Sequence, residues 1–384
     1  MIRVLIADDS AFMRKVLSDL FSKQSDFQVI GTAINGKDTV DKVKKLKPDL
    51  LTLDVLMPVM NGLDALAIIM DNNPLPVVMV SSMTQEGADA TIRALALGAV
   101  DFVGKAGGPI SKIDTIEDEI LRKCREAAQA HVSKTSPLTD SKPIVYTQPK
   151  QPDPPVMRRI EVKRRTGYVP GKKPEIVRIP AANVPKPAYA PSVSGKKLVA
   201  IGTSTGGPQA LQSVITRLPG NLPCGVVIVQ HMPAGFTKSL AERLDSISEI
   251  AVKEAEHEEI IRAGQVYIAP GNYHLRVANV AGGGKKILLS QEPPVGNHRP
   301  AVNVMFDSVA QFGSDLVSVI MTGMGADGCE GMKKIKANGG YSIAQDEKSC
   351  VVYGMPKAVV DAGLADEIRP LNKIAEAIVE AVKR

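Results

Sequence analysis

Residues 1–10 read Met1-Ile-Arg-Val-Leu-Ile-Ala-Asp8-Asp9-Ser10. The run from Arg3 to Ala7 is short and apolar, long enough only for a strand, and it ends in two acids. After Ser10, residues Phe12, Met13, Val16, Leu17, Leu20 and Phe21 fall at helical spacing and form one apolar stripe. The same alternation continues outward. Phe27 to Ala33 reads as a strand, and Asn35-Gly36 opens a helix. Asp49 to Leu53 reads as a third strand, followed by a turn at Met57-Pro58 and a helix around Leu63 to Met70. Pro76 to Ser81 and Ala99 to Val103 are two further strands, with helices across Ala88 to Leu97 and 112–130. Five strands alternating with five helices imply a parallel sheet covered by helices on both faces.

Such sheets gather their functional groups at the carboxyl ends of the strands. Asp8 and Asp9 end the first strand, Asp54 the third and Ser81 the fourth, and Lys105 lies just past the fifth. Any one of these acids alone reads as a turn residue or helix cap. Three carboxylates at neighbouring strand ends repel one another unless a cation neutralises them, and an all-oxygen ligand set suits Mg²⁺. A carboxylate beside Mg²⁺ can attack a phosphoryl group, with Lys105 binding one phosphoryl oxygen and Ser81 another. With these five groups in place, residues 1–130 resemble the receiver domain of two-component response regulators. The resemblance implies a flavodoxin-like (βα)5 fold and phosphorylation of Asp54 by a histidine kinase. Leu56 departs from the many receivers that carry a polar residue two places after the aspartate. Its backbone carbonyl still serves as a metal ligand.

Charge and composition separate this part from the rest. The chain has 384 residues, 44% of them apolar and 23% charged, and a net charge of +6. Residues 131–194 hold 12 Lys/Arg against 4 Asp/Glu, so they carry +8 and leave the other 320 residues at −2. They also hold 12 of the 27 prolines, which block regular pairing and favour an extended tether. The clusters Arg158-Arg159 and Lys163-Arg164-Arg165 suit a nucleic-acid arm, but only Tyr146, Tyr168 and Tyr189 are there to stack on bases. A basic, proline-rich linker with no nucleic-acid partner is the expectation. No apolar run reaches 18 residues, and the first acids arrive before a signal-peptide core forms. Cys124, Cys224, Cys329 and Cys350 form no metal-binding pair. A cytoplasmic protein with reduced, buried thiols and no membrane insertion follows.

In residues 195–384 the strand Leu198 to Ile201 runs into Gly202-Thr-Ser204-Thr-Gly206-Gly207-Pro208. Pro208 suits the first turn of a helix reaching about Arg217. A dinucleotide site would use such a glycine-rich turn, but it also wants an acid near the end of the next strand. That strand, Val226 to Val229, ends in Gln230-His231 instead. The other chemistry is a nucleophilic serine in the Gly-x-Ser-x-Gly form, with His231 placed as its base. Asp327, just after strand Leu316 to Ile320, is the best acid to orient that histidine. His298, beside Arg299-Pro300, is the rival base, while His257 and His274 read as structural. The order Ser, His, Asp excludes the ordinary α/β-hydrolase order of Ser, acid, His.

The motifs GTSTGGP, QHMP and MTGMGADG behind a receiver resemble the chemotaxis methylesterase/glutaminase family, CheB. That resemblance implies a Rossmann-like, doubly wound α/β catalytic domain with an antiparallel hairpin, placed at Val266 to Ser290. It implies Ser204 as nucleophile, His231 as base, Asp327 as its orienter, and oxyanion or substrate-positioning roles at Thr205 and Met324. The implied activity is hydrolysis of glutamate methyl esters and deamidation of glutamines on chemoreceptors, switched by the receiver. Mg²⁺ is expected in the receiver and no cofactor for the esterase chemistry. The competing outputs are a nucleic-acid-binding domain and a receptor-binding adaptor without activity.

Overall fold

The computed structural model describes residues 1–81, 84–105, 113–130, 132, 195–281 and 284–384. The expected linker, apart from position 132, lies outside them. The first part comprises β1 (Ile2–Ala7), α1 (Ala11–Ser22), β2 (Phe27–Ala33), α2 (Gly36–Leu46) and β3 (Leu50–Asp54). It continues with α3 (Gly62–Asn72), β4 (Val77–Ser81), α4 (Gln85–Ala96), β5 (Asp101–Gly104) and α5 (Ile113–Ala128). The five strands form one parallel sheet in the order β2-β1-β3-β4-β5. Strand order reverses between β1 and β3, so the crevice at their carboxyl ends receives Asp8, Asp9 and Asp54.

The apolar strands are continuous because both faces are buried. Along β1, Leu5 and Ala7 join one core cluster while Val4 and Ile6 join the cluster on the other face, as a period of two requires. The helices start where short polar side chains satisfy free N–H groups. Ser10 accepts from Met13, Asn35 from Asp38, Asn61 from Asp64 and Thr84 from Gly87.

The second part comprises β6 (Leu198–Thr203), α6 (Gly207–Ile215), β7 (Gly225–Gln230), α7 (Phe236–Ile247), β8 (Ala251–Glu254) and β9 (Gln265–Ile268). Then follow β10 (His274–Val280), β11 (Gly284–Ser290), α8 (Val302–Val309), β12 (Leu316–Ile320) and α9 (Cys329–Ala337). It closes with β13 (Tyr341–Gln345), α10 (Met355–Asp361), β14 (Glu367–Arg369) and α11 (Leu371–Lys383). Seven parallel strands run in the order β14-β13-β12-β6-β7-β9-β8. Val199 and Ile201 enter one core cluster and Leu198 and Ala200 the other, so this sheet too is covered on both sides. It is a Rossmann-like, doubly wound sheet whose order reverses between β6 and β12. The antiparallel hairpin is β10–β11, with His274 opposite Ser290. Its first strand starts at His274 rather than Val266, because Val266 to Ile268 belongs to the parallel sheet beside β7.

One apolar cluster runs from the first part into the second through Ile92, Leu95 and Phe102 on one side and Phe236 and Leu240 on the other. The rings of Phe102 and Phe236 stack with centroids 4.4 Å apart. All four cysteines are free and buried. No helix among the described residues is long and apolar enough to cross a membrane.

Candidate active site

Three strand ends bring the serine, histidine and aspartate together. Ser204 follows β6, His231 follows its neighbour β7, and Asp327 follows β12 on the other side of β6. The Ser204 Oγ lies 3.1 Å from His231 Nδ1, and His231 Nε2 lies 2.8 Å from Asp327 Oδ2. The side chains of His231 and Asp327 are only 5% and 11% exposed, so water competes little for these bonds. Burial alone would raise the Asp327 pKa. The His231 ring and the backbone N–H groups of Asn303 and Val302 outweigh it, and the carboxyl sits below its usual range. An ionised carboxylate only accepts, so His231 Nε2 carries the proton and Nδ1 is left to accept from the Ser204 hydroxyl.

Asp327 is itself held by the start of α8. Its Oδ2 accepts from Val302 N at 2.6 Å and its Oδ1 from Asn303 N at 2.9 Å. Free N–H groups and the positive end of a helix both favour a carboxylate there. Sequence reasoning missed this contact, because no capping side chain marks the start of α8.

The turn at Ser204 has a second hidden support, the buried amide of Gln230. It accepts from Thr203 Oγ1 at 2.6 Å and donates to the carbonyls of Ser204 at 2.9 Å and His231 at 3.2 Å. A Cβ at position 207 would lie 1.9 Å from the Gln230 Oε1, so the second glycine of the pair makes room for that amide. A Cβ on Gly323 would lie 2.8 Å from the Ser204 Cβ, so the loop after β12 passes directly over Ser204. Met324 is the next residue in that loop and is 44% exposed. Among the described residues, the backbone N–H groups of Thr205 and Met324 have no internal partner, whereas Ser204 N bonds Thr322 O at 3.0 Å.

His298 lies beside His231, and no hydrogen bond joins it to Ser204 among the described residues. Its ring stacks on that of His231, with centroids 3.8 Å apart and planes 9° apart. His274 is fully buried in a structural role, its Nε2 bonded to Pro293 O at 3.1 Å and its Nδ1 to Ala301 N at 3.3 Å.

The acidic pocket of the first part assembles as its strand order requires. Asp8, Asp9 and Asp54 each offer an oxygen, and these atoms lie within 4.8 Å of one another. Lys105 Nζ reaches Asp54 at 2.7 Å and Asp8 at 3.0 Å. Burial raises the Asp54 pKa, Asp8 adds to the rise, and Lys105 only partly offsets it. Ser81 is buried, and its hydroxyl donates to Gly87 O at 3.1 Å. Leu56 is 61% exposed, with its N–H directed at Asp54 Oδ1 at 3.5 Å. The two parts also meet beside Ser204. Gly206 N donates to Val100 O at 3.3 Å, and the single Thr205 hydroxyl proton lies between Asp101 Oδ2 at 2.9 Å and Glu126 Oε2 at 3.2 Å.

Comparison with known proteins places both parts in families. Residues 199–378 match the CheB methylesterase family and residues 4–116 the response regulator receiver domain. A protein-glutamate methylesterase/protein-glutamine glutaminase of Pyrococcus abyssi is 44% identical over 384 residues, all of this chain and 94% of its own. A relative of the same name from Symbiobacterium thermophilum is 47% identical over 383 residues, 99% of this chain and 97% of its own. The chain belongs to the CheB family. It is therefore an enzyme, a response-regulator methylesterase, and not a receiver with a non-enzymatic or nucleic-acid-binding output. The solved CheB methylesterase catalytic domain of Thermotoga maritima is 50% identical, covering 49% of this chain and 99% of its own, with a TM-score of 0.47.

Proposed function

We propose that Ser204, His231 and Asp327 hydrolyse glutamyl methyl esters, and deamidate glutamines, on the cytoplasmic helices of chemoreceptors. The observation that carries this reading is the unbroken chain from Ser204 Oγ through His231 to Asp327, at 3.1 and 2.8 Å. His231 Nδ1 takes the Ser204 proton as Oγ attacks the ester carbonyl carbon. The backbone N–H groups of Thr205 and Met324 face the developing oxyanion, and one such donor is worth about 3 kcal/mol. The proton on Nδ1 passes to the departing methoxide, which leaves as methanol. Water then repeats the cycle on the acyl-serine and frees the glutamate carboxylate. A glutamine side chain follows the same path with ammonia as leaving group.

In the receiver, Asp8, Asp9, Asp54 and the Leu56 carbonyl would hold Mg²⁺. The clustered oxygens fit a hard cation, which when bound offsets the charge of an incoming phosphoryl group. Asp54 is the phosphoryl acceptor, with a chemotaxis histidine kinase as donor, and Lys105 and Ser81 are the groups that respond. The unphosphorylated receiver restrains the esterase through its contacts with Thr205 and Gly206. A cytoplasmic location follows from this substrate and donor. The test is methanol release from methylated receptor membranes, with Ser204→Ala and Asp54→Asn as paired variants. Ser204→Ala should abolish both methanol release and deamidation. Asp54→Asn should keep its basal rate and lose the response to a phosphodonor. Deamidation surviving in Ser204→Ala would refute a shared nucleophile.

A further inference from the structure

We infer that His298 is a positioning residue for His231, its ring a flat platform that fixes the plane in which the base meets Ser204 and Asp327. The inference rests on the triad reading above and deepens it. The N–H and lone pair of an imidazole point within its plane, so the two hydrogen bonds of His231 chiefly resist rotation within that plane. They do little against tilting out of it. The parallel ring at 3.8 Å supplies that missing direction.

The platform is itself firmly held. Val295 and His298 exchange backbone hydrogen bonds, both 3.1 Å, across Gly296 and Asn297, whose φ values of +58° and +66° make the tight primed turn of a two-residue hairpin. The next residue, Arg299, donates to Gln291 O and Glu292 O at 3.0 Å each and to Asn272 Oδ1 at 2.5 and 3.2 Å. Three and four residues further on, Val302 and Asn303 bind the Asp327 carboxylate. One segment, residues 295–303, thus sets both the tilt of the base and the position of its carboxylate.

The platform also suits a base that becomes charged. Burial first, and then the neighbouring His231, push the His298 pKa down to about 3, with Arg122 and Lys123 acting in the same direction and Asp327 against it. At neutral pH the stacked ring is therefore uncharged. When His231 takes the Ser204 proton, its imidazolium meets a neutral π-face rather than a second cation.

The experiment measures kcat and KM for methanol release by the full chain with saturating phosphodonor, across a pH series. It compares His298→Ala, His298→Phe and Ser204→Ala, with thermal unfolding of each. His298→Ala should lose about tenfold to a hundredfold in kcat, the scale of a misplaced catalytic group, while KM moves by less than about threefold. His298→Phe restores a flat ring without nitrogens. It should recover kcat to within about threefold of the parent and keep its pH profile. The inference is overturned if His298→Ala keeps its kcat or changes KM alone. It is equally overturned if Phe and Ala variants that melt like the parent lose kcat equally, because the ring nitrogens would then matter rather than the plane. Activity persisting in Ser204→Ala is a separate result that removes the triad reading itself.

Discussion

Replacing Asp327 by asparagine tests the polarity of the triad most directly. The substitution keeps shape and removes one charge. Two unit charges about 4 Å apart attract by about 4 kcal/mol at the effective dielectric of about 20 that suits such sites. The amide oxygen keeps a neutral hydrogen bond of about 1 kcal/mol. The net loss of about 3 kcal/mol from the imidazolium-bearing transition state corresponds to about a hundredfold in kcat. Orientation decides whether the loss goes further. With its oxygen toward His231 and Val302, the amide serves both donors but turns its NH₂ against Asn303 N–H. With its NH₂ toward His231 it forces the proton onto Nδ1 and disarms the base. A hundredfold is therefore the smaller expected loss in methanol release under saturating phosphodonor. A kcat within about tenfold of the parent would refute the assigned polarity.

The same variant has a stability signature. The amide leaves one buried N–H unmatched, at a cost of about 1–3 kcal/mol. Because the Asp327 pKa lies below its ordinary value, its contribution is fully present above the unfolded-chain pKa of about 3.9. It is lost as pH falls through the lower, folded-state value. Denaturation at a series of pH values should show the gap between parent and variant constant near neutrality and closing only in that acid window.

Gln230→Leu removes the amide that ties Thr203, Ser204 and His231 together. It should cost about 1–3 kcal/mol in urea unfolding and lower kcat more than it raises KM. Phe102→Ala deletes the ring stacked on Phe236 and should weaken the contact between receiver and esterase by about 3 kcal/mol or more. Its methanol release without phosphodonor should rise toward the phosphodonor-treated rate, and no rise would refute a restraining role for that contact. Lys105→Met removes the cation shared by Asp54 and Asp8. At matched phosphoryl incorporation its esterase should respond to the donor less than the parent does, and an equal response would exclude Lys105 from the switch.

Much of the fold was legible because the strands are buried on both faces and read as short apolar runs ended by chemistry. Strand Leu316 to Ile320 was placed to the residue, and Ser204 and His231 stand immediately after such runs, with Asp327 in the loop that follows another. What stayed hidden shares one cause. The Gln230 amide, the His298 ring and the N–H groups of Val302 and Asn303 act through neighbours remote in sequence, and no local periodicity encodes which loop a strand end will meet. The hairpin start was misplaced for a related reason. Val266 to Ile268 and His274 to Val280 are both strand-like, and only sheet pairing separates an interior parallel strand from a hairpin arm.

The short segment from Val100 to Lys105 gives the two chemistries a physical connection. Its last residue holds Asp54 and Asp8, while its first two residues hold Gly206 and Thr205, the pair that follows Ser204. Between them runs β5, at about 3.3 Å per residue, so the ends lie about 17 Å apart on a nearly inextensible element. Lys123 fastens the near end by binding Asp101 at 3.1 Å and Phe102 O at 2.6 Å. A phosphoryl group on Asp54 puts up to two negative charges in place of the carboxylate's one beside the Lys105 ammonium and changes what holds the far end. A flexible loop would absorb that change locally. A strand paired along β4 resists bending, so a shift at one end is passed to the contacts at the other. The receiver can therefore act on the esterase without touching Ser204, His231 or Asp327, through Thr205, whose N–H we propose as an oxyanion donor.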